Sequence, residues 1–296
     1  MIRSLLFVPA NSERFVSKAH RRGADALILD LEDSVVAEQK RAARERLVEA
    51  VPFVGQNHAK VFVRINSSSD LMSQDAETAC RAGAIGIFLP KTKDPAYVVH
   101  VAELLDRVEG RIGSTRKTKI VPVIEDPNAI FDAREIAKAS TRVFALIAGS
   151  EDLATAMNAE PTPDFLRLPK LLVHFAAKAA SVLSFGLLRT IADFRDLNAI
   201  ANAAEEARSL GFDGATCVHP SVVPVLNQGF SPSAQQLEHA ARLVAASEEA
   251  KRRGEGAFIF EGRMVDTPVV ERSKNLIDRG PLAKGKSKLP KVARSD

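Results

Sequence analysis

Lys119–Ala154 reads KIVPVIEDPNAIFDAREIAKASTRVFALIAGSEDLA and runs through the same rhythm twice. An apolar run, Lys119–Ile124, delivers Glu125. A second, Val143–Ala148, is followed four residues later by Asp152. Between them Ala129, Ile130, Ala133, Ile136 and Ala137 recur at helical spacing. Two short apolar runs around one such helix predict a βαβ unit with parallel strands. Parallel strands carry Glu125 and Asp152 to the same, C-terminal, edge of the sheet. Neither has an obvious cationic partner, so the two carboxylates need a proton or a metal ion between them. A hard divalent cation, bound by a few protein oxygens plus water and substrate, suits that place. The plainer alternative is that loops after strands are simply polar.

Outward from this stretch the βα rhythm continues in both directions. Strands are predicted at Ser4–Val8, Ala26–Leu31, Lys60–Ile65 and Ile85–Leu89 before it, and at Leu187–Ile191 and Ala215–Val218 after it. Helices fill the gaps, among them one from about Glu38 to Val51, one over Ala129–Ala139 and a long apolar one over Asp164–Phe185. Eight strands alternating with helices predict a (β/α)8 barrel over residues 1–230, with the site in the loops at its C-terminal face. A doubly wound open sheet gives no reason for eight evenly spaced units. Polar residues recur at the expected face: Asp33, Arg64, Lys91, Glu125, Asp152, Arg189 and His219. After Gly229 the rhythm stops. Residues 231–280 predict a helix, a short strand and a last helix, too small for a core of their own and so expected to pack on a barrel. Residues 281–296 read as a disordered basic tail.

Composition narrows the function. Of 296 residues 46% are apolar, enough for a large core, and there is no tryptophan and one tyrosine, Tyr97. The net charge of +4 lies in the tail, where Lys284, Lys286, Lys288, Lys291 and Arg294 face only Asp296; the rest of the chain is neutral. That argues against nucleic acid as a partner. Cys80 and Cys217 have no metal-site spacing and suit a reducing, cytoplasmic setting. No signal peptide or membrane span is expected.

Several motifs can be weighed directly. Gly280–Ser287 (GPLAKGKS) fits the spelling of a phosphate-binding loop, but it lacks the strand before it and the helix after it that such a loop requires. His174, on an apolar helix, reads as packed; His219, at the end of a strand, is a better catalytic candidate. Nucleophilic hydrolysis has no support, because neither a Gly-x-Ser-x-Gly turn nor a cysteine–histidine pair is present. Lys91 could form a Schiff base, but next to paired acids an anion-binding role fits better. Arg64, inside a strand, must face the polar mouth and meet an anion, or pair with Asp30, Glu32 or Asp33 on the adjacent strand. A metal beside an arginine suits a keto-acid oxygen and a developing enolate.

With these residues in place, the chain resembles the citrate lyase β-subunit-like branch of the HpcH/HpaI aldolase superfamily, which includes malyl-CoA and citramalyl-CoA lyases. The resemblance rests on RSLLFVPANSERFVSKA, on GADALILDLEDSVV with Lys40 and Arg44, and on VRIN, FLPK, PVIED, AGSEDLA, ARSLGFDGATCVHP, FSPS and GRMVDTP, in this order from Arg3 to about Val270. It implies a homotrimer of (β/α)8 barrels with Mg2+ on Glu125 and Asp152. It implies that Arg64 contacts the keto acid and the thioester oxygen, that Asp30, Glu32 and Asp33 stand behind the metal, and that Arg14 and Lys18 bind the phosphates of the carrier. Asp266 matches an acid that a C-terminal lid, residues 231–280, lends to a neighbouring subunit. Two departures bear on the substrate: Asp126 follows Glu125 and adds charge near the metal, and Arg189 and Thr190 stand where an aspartate is usual.

The expected activity is therefore that of a Mg2+-dependent carbon–carbon lyase. It would cleave, or form by Claisen condensation, a citryl-, citramalyl- or malyl-type 3-hydroxyacyl thioester, giving an acyl thioester and a keto acid. Asp33 and Asp266 are the candidate bases, and Lys91 joins Arg14, Lys18 and Arg64 in binding substrate. The alternatives are a CoA-free hydroxy-keto-acid aldolase and a non-catalytic or regulatory subunit of a multi-protein lyase.

Overall fold

In the computed structural model residues 1–280 are described; the phosphate-loop spelling from residue 281 onward and the expected basic tail lie outside them. The first half alternates as β1 (Ser4–Pro9), α1 (Glu13–Ala19), β2 (Ala26–Asp30), α2 (Lys40–Glu45), α3 (Leu47–Val54), β3 (Lys60–Arg64), α4 (Ser69–Ala82), β4 (Gly86–Leu89) and α5 (Pro95–Ile112). Then come β5 (Lys119–Ile124), α6 (Pro127–Phe131), α7 (Ala133–Lys138), β6 (Ala145–Ala148), α8 (Ser150–Ala156) and α9 (Pro163–Ala179). The unit finishes with β7 (Leu183–Phe185), α10 (Leu197–Leu210), β8 (Ala215–Cys217) and α11 (Val222–Gly229).

The eight strands form one parallel sheet in the order β7-β6-β5-β4-β3-β2-β1-β8. A bridge between Phe185 and Gly214 brings its two ends together, so the sheet is a nearly closed barrel. The predicted (β/α)8 architecture is what the chain adopts. Strand alternation explains how it is filled. Leu5, Ala26, Ile28, Phe62, Phe88, Val121, Val123, Ala145, Ile147 and Phe185 form one buried cluster, the barrel interior. The intervening residues, such as Leu27, Leu29, Val61, Val63, Ile87 and Leu146, belong to the larger cluster shared with the surrounding helices. Below the strands Arg142 is buried between Glu109 and Asp106, each at 2.6 Å, and also donates to the Thr118 carbonyl. Burial opposes the charge on Glu109, but Arg142 and the Thr118 amide outweigh it and hold the carboxyl down to about 2.

Four elements differ from expectation. The seventh strand is Leu183–Phe185, not Leu187–Ile191, and α9 stops at Ala179 rather than reaching Phe185. Ser181 takes a left-handed conformation (φ 56°) that ends the helix, and Gly186 (φ 155°) ends the strand. The helix expected over 38–51 is a short helical turn followed by α2 and α3, which meet at Arg46. The helix over 129–139 is two pieces that meet at Asp132.

The second compact unit begins at Ser231. Ser233 and Gln236 form a capping box on α12 (Ala234–Arg252). An antiparallel pair follows, β9 (Phe258–Phe260) with β10 (Arg263–Val265), and then α13 (Thr267–Asp278). Leu243, Val265 and Val270, with Phe258, Phe260 and Val269, form its small core. Among the described residues no helix is long and apolar enough to cross a membrane.

Candidate active site

The alternation that fills the barrel also builds its mouth. Ile28 points inward, so Asp30 two residues on does too; the same parity takes Phe62 to Arg64, Val123 to Glu125 and Ile147 to Gly149. Asp30 and Arg64 are register partners at the ends of β2 and β3. Their side chains meet twice, Nε to Oδ1 at 2.6 Å and Nη2 to Oδ2 at 2.7 Å. Arg64 Nη1 also reaches Asp33 at 2.9 Å and Glu32 at 3.1 Å, and its Cζ lies 4.9 Å from the centre of the Phe7 ring. One guanidinium thus gathers three carboxylates. Burial would weaken its charge, but Asp30, Glu32 and Asp33 keep it protonated more firmly than a free arginine. Burial would likewise raise Asp30, yet Arg64, Ser34 and the Glu32 amide hold its carboxyl below the usual range.

Glu32 and Glu125 behave in the opposite way. Burial lifts Glu32 to about 8; Asp33 and Glu125 push in the same direction, and Arg64 and Lys91 against it. Its Oε1 is buried with no hydrogen-bond partner among the described residues, and Lys91 Nζ stands 4.0 Å away. Burial likewise lifts Glu125 to about 7; the Lys91 amide, 2.9 Å from Oε2, and Arg64 oppose this, while Asp152 and Asp33 add to it. Asp152, exposed in the first turn of α8, is thus close enough to act on Glu125, and no salt bridge involves either acid among the described residues.

Gly149 is what lets Glu125 lie where it does. A Cβ there would come within 2.5 Å of Glu125 Oε1, although the Gly149 backbone suits any residue. Gly149→Ala is expected to displace Glu125 and weaken divalent-metal binding about 10–100-fold, with a small change in melting temperature. Titration calorimetry checks this; unaltered affinity would show that Glu125 does not hold the ion.

Among the described residues no three His, Cys, Asp or Glu side chains converge as a ready metal cage. Two carboxylates fit a hard cation that completes its shell with water and substrate oxygens. The buried Glu125 carboxyl and the unpartnered Glu32 oxygen both fit a cation bound at this mouth.

The other expected residues are dispersed. Arg14 and Lys18 are exposed, one turn apart on α1. Asp266 lies in the second unit at the N-cap of α13, where its side chain makes no capping bond. His219 is exposed, stacks on Phe194 with centroids 4.9 Å apart and meets Ser221; it is not among the acids. His174 is buried and stacked on Phe212. Asp126, read as extra charge near the metal, caps α6 by accepting from the Asn128 and Ala129 amides.

Some supporting residues were assigned no chemical role from the sequence. Lys40 Nζ donates to the carbonyls of Leu31 and Glu32, both at 2.9 Å, and so fixes the loop that presents Glu32. Arg44 pairs with buried Asp75, which accepts from the Asn66 amide and side chain just beyond Arg64. The Tyr97 hydroxyl is buried without a partner among the described residues; burial first, then the charge of Glu32, raises its pKa. The Lys40 and Arg44 spacing after DLED signalled the first two; nothing in the sequence signalled Tyr97.

Residues 3–220 match the model of the HpcH/HpaI aldolase/citrate lyase family. The chain belongs to this family of lyases. It is 32% identical over 288 residues to the citrate lyase subunit beta of Escherichia coli K12, covering 95% of this chain and 94% of that one. It is also 32% identical over 272 residues, 89% of each chain, to a (3S)-malyl-CoA thioesterase of Cereibacter sphaeroides. The crystal structure of the protein CitE from Mycobacterium tuberculosis, in complex with magnesium, acetoacetate and coenzyme A, superposes with a TM-score of 0.76 at 30% identity. That match covers 93% of this chain and 97% of the other. Within the family, the chain falls in the citrate lyase beta-like branch.

Proposed function

We propose that the protein is a Mg2+-dependent carbon–carbon lyase that cleaves a 3-hydroxyacyl thioester of the citryl, citramalyl or malyl type, or forms it by Claisen condensation. The observation that carries this reading is the buried Glu125 within the field of Asp152, at a mouth where Glu32 Oε1 is also buried without a hydrogen-bond partner among the described residues. Magnesium in the related CitE structure supports the choice of ion. Held by Glu125 and Asp152, Mg2+ would act as a Lewis acid towards the oxygens of the keto acid.

The chain's own residues supply the rest. Arg64, fixed by Asp30, offers its remaining donor capacity to the thioester oxygen, where negative charge grows as the enolate forms. Glu32 and Asp33 hold Arg64 at that angle, and Lys91 adds a positive charge for the substrate carboxylate. Arg14 and Lys18, on one face of α1, suit the phosphates of CoA or of a carrier protein. In the condensation direction Asp266 takes the proton from the acyl carbon; in cleavage it returns it. We take the working assembly to be a homotrimer in which residues 231–280 serve a neighbouring barrel. In support, Leu168, Leu172 and Phe175 line one face of α9 and are exposed, as association surfaces are. Thioester hydrolysis is a second reading, favoured by the thioesterase relative of equal identity.

One assay separates these. The protein is incubated with Mg2+, acetyl- or propionyl-CoA, and glyoxylate, pyruvate or oxaloacetate in turn, and the products are weighed by mass spectrometry. A 3-hydroxyacyl-CoA adduct is the expected product. Free CoA with no adduct would indicate hydrolysis, and cleavage of free hydroxy-keto acids alone would indicate a CoA-free aldolase. Metal binding without any turnover would indicate a non-catalytic subunit.

A further inference from the structure

Lys170, on α9, is 4% exposed and takes no part in the chemistry just described. Its Nζ donates to the carbonyls of Leu187 and Arg189, both at 2.8 Å. These carbonyls open the connection between β7 and α10, which contains no helix or strand. A segment without ladder bonds stays in one place only if side chains or water satisfy its backbone. Here the ties can be named. Lys170 holds the start of the connection. The Thr190 hydroxyl meets the Glu151 carboxylate on α8, and its oxygen also accepts from the Ala192 amide at 3.1 Å. Arg189 pairs with Asp193, and Phe194 stacks on His219.

The place of this segment is what matters. β7 is the neighbour of β6, and Glu151, which Thr190 touches, immediately precedes Asp152. The connection therefore stands beside the carboxylate pair. Lys40 shows the same device on the other side of the mouth, gripping two carbonyls of the loop after β2. A buried lysine is a costly way to satisfy two carbonyls unless their position is important.

We propose that Lys170 is a positioning residue that fixes the β7–α10 connection against α8, and so sets the wall of the barrel mouth beside Asp152 on which a keto acid would rest. The keto-acid part rests on the function proposed above; the placement of the loop does not.

Hydrogen exchange read by mass spectrometry tests the placement directly. In Lys170→Met the amides of residues 187–192 should exchange about tenfold faster or more, while those of β4 and β5 keep their protection. Lys170→Gln, shorter and able to reach one carbonyl at most, should give a smaller loss, and it stands in if the Met variant does not fold. Affinity for pyruvate or oxaloacetate should fall about tenfold, with Mg2+ affinity nearly unchanged because Glu125 and Asp152 are intact. Lys170→Arg, which keeps the donors, should recover both properties in part. Unchanged exchange at 187–192, or a loss spread evenly over the barrel, overturns the proposal. Faster local exchange in a protein whose parent binds no keto acid would leave the clamp standing and remove the lyase reading.

Discussion

Glu125→Gln is expected to melt higher than the parent protein at pH 8 without metal, and to lose both metal binding and lyase activity. The carboxyl is raised to about 7 in the folded chain, whereas in the unfolded chain it titrates near the ordinary value. A group raised in this way stabilises the fold while it holds its proton. That contribution is complete below about pH 4.5 and is lost as pH rises through 7. At pH 8 the metal-free parent carries a buried, unpaired charge, and the amide of the variant does not. The amide oxygen can still accept from the Lys91 amide. The gain should be about 1–3 kcal/mol, or several degrees in melting temperature, and should vanish near pH 4.5. Added Mg2+ reverses the order, since only the parent gains by binding. A variant that melts lower at pH 8, or that Mg2+ still stabilises, would show that Glu125 is not the isolated acid of this site.

Asp266→Asn is expected to lower turnover about 10²–10⁴-fold while leaving Mg2+ affinity unchanged, and its partner in a mixing experiment follows from the structure. Arg64→Ala is a poor choice, because it would strand buried Asp30 without its counter-charge at about 3–5 kcal/mol. Glu125→Gln disables the barrel without that penalty. When the Glu125 and Asp266 variants are unfolded together and reassembled, some hybrid sites combine an intact barrel from one protomer with an intact Asp266 from another. Roughly a quarter of sites qualify if assembly is random. Activity should return to that order. If hybrids form and activity stays at the level of the single variants, Asp266 does not act across the interface.

Strand spacing made much of the mouth legible. Several strands lead into a polar residue, and those at Asp30, Arg64 and Glu125 share the inward parity of the apolar residues below them. What stayed hidden depends on contacts between units. The apolar Leu187 and Leu188 read as a strand, and both are buried, but they pack as part of a loop beyond Gly186. Apolar burial alone does not distinguish the two. The helix over 129–139 kept its periodicity through a break at Asp132 because the break leaves the buried face unchanged. That Asp126 caps α6 was hidden too, because side-chain direction decides whether it reaches the amides of Asn128 and Ala129. Lys170 and Gly149 could not be assigned at all: one acts on carbonyls seventeen and nineteen residues away, and the other by making room.

Tyr97 has an optical consequence. With no tryptophan and a single tyrosine, the near-ultraviolet spectrum of this chain is that of one phenol over a weak phenylalanine background. Its hydroxyl is buried within the field of Glu32, which is itself in the field of Glu125 and Lys91. Filling the mouth with a cation or an anionic ligand is expected to change the field at the ring, and with it the absorption and emission of the whole protein. The chain carries its own chromophore beside its charges, so occupancy can be followed by fluorescence without any added label.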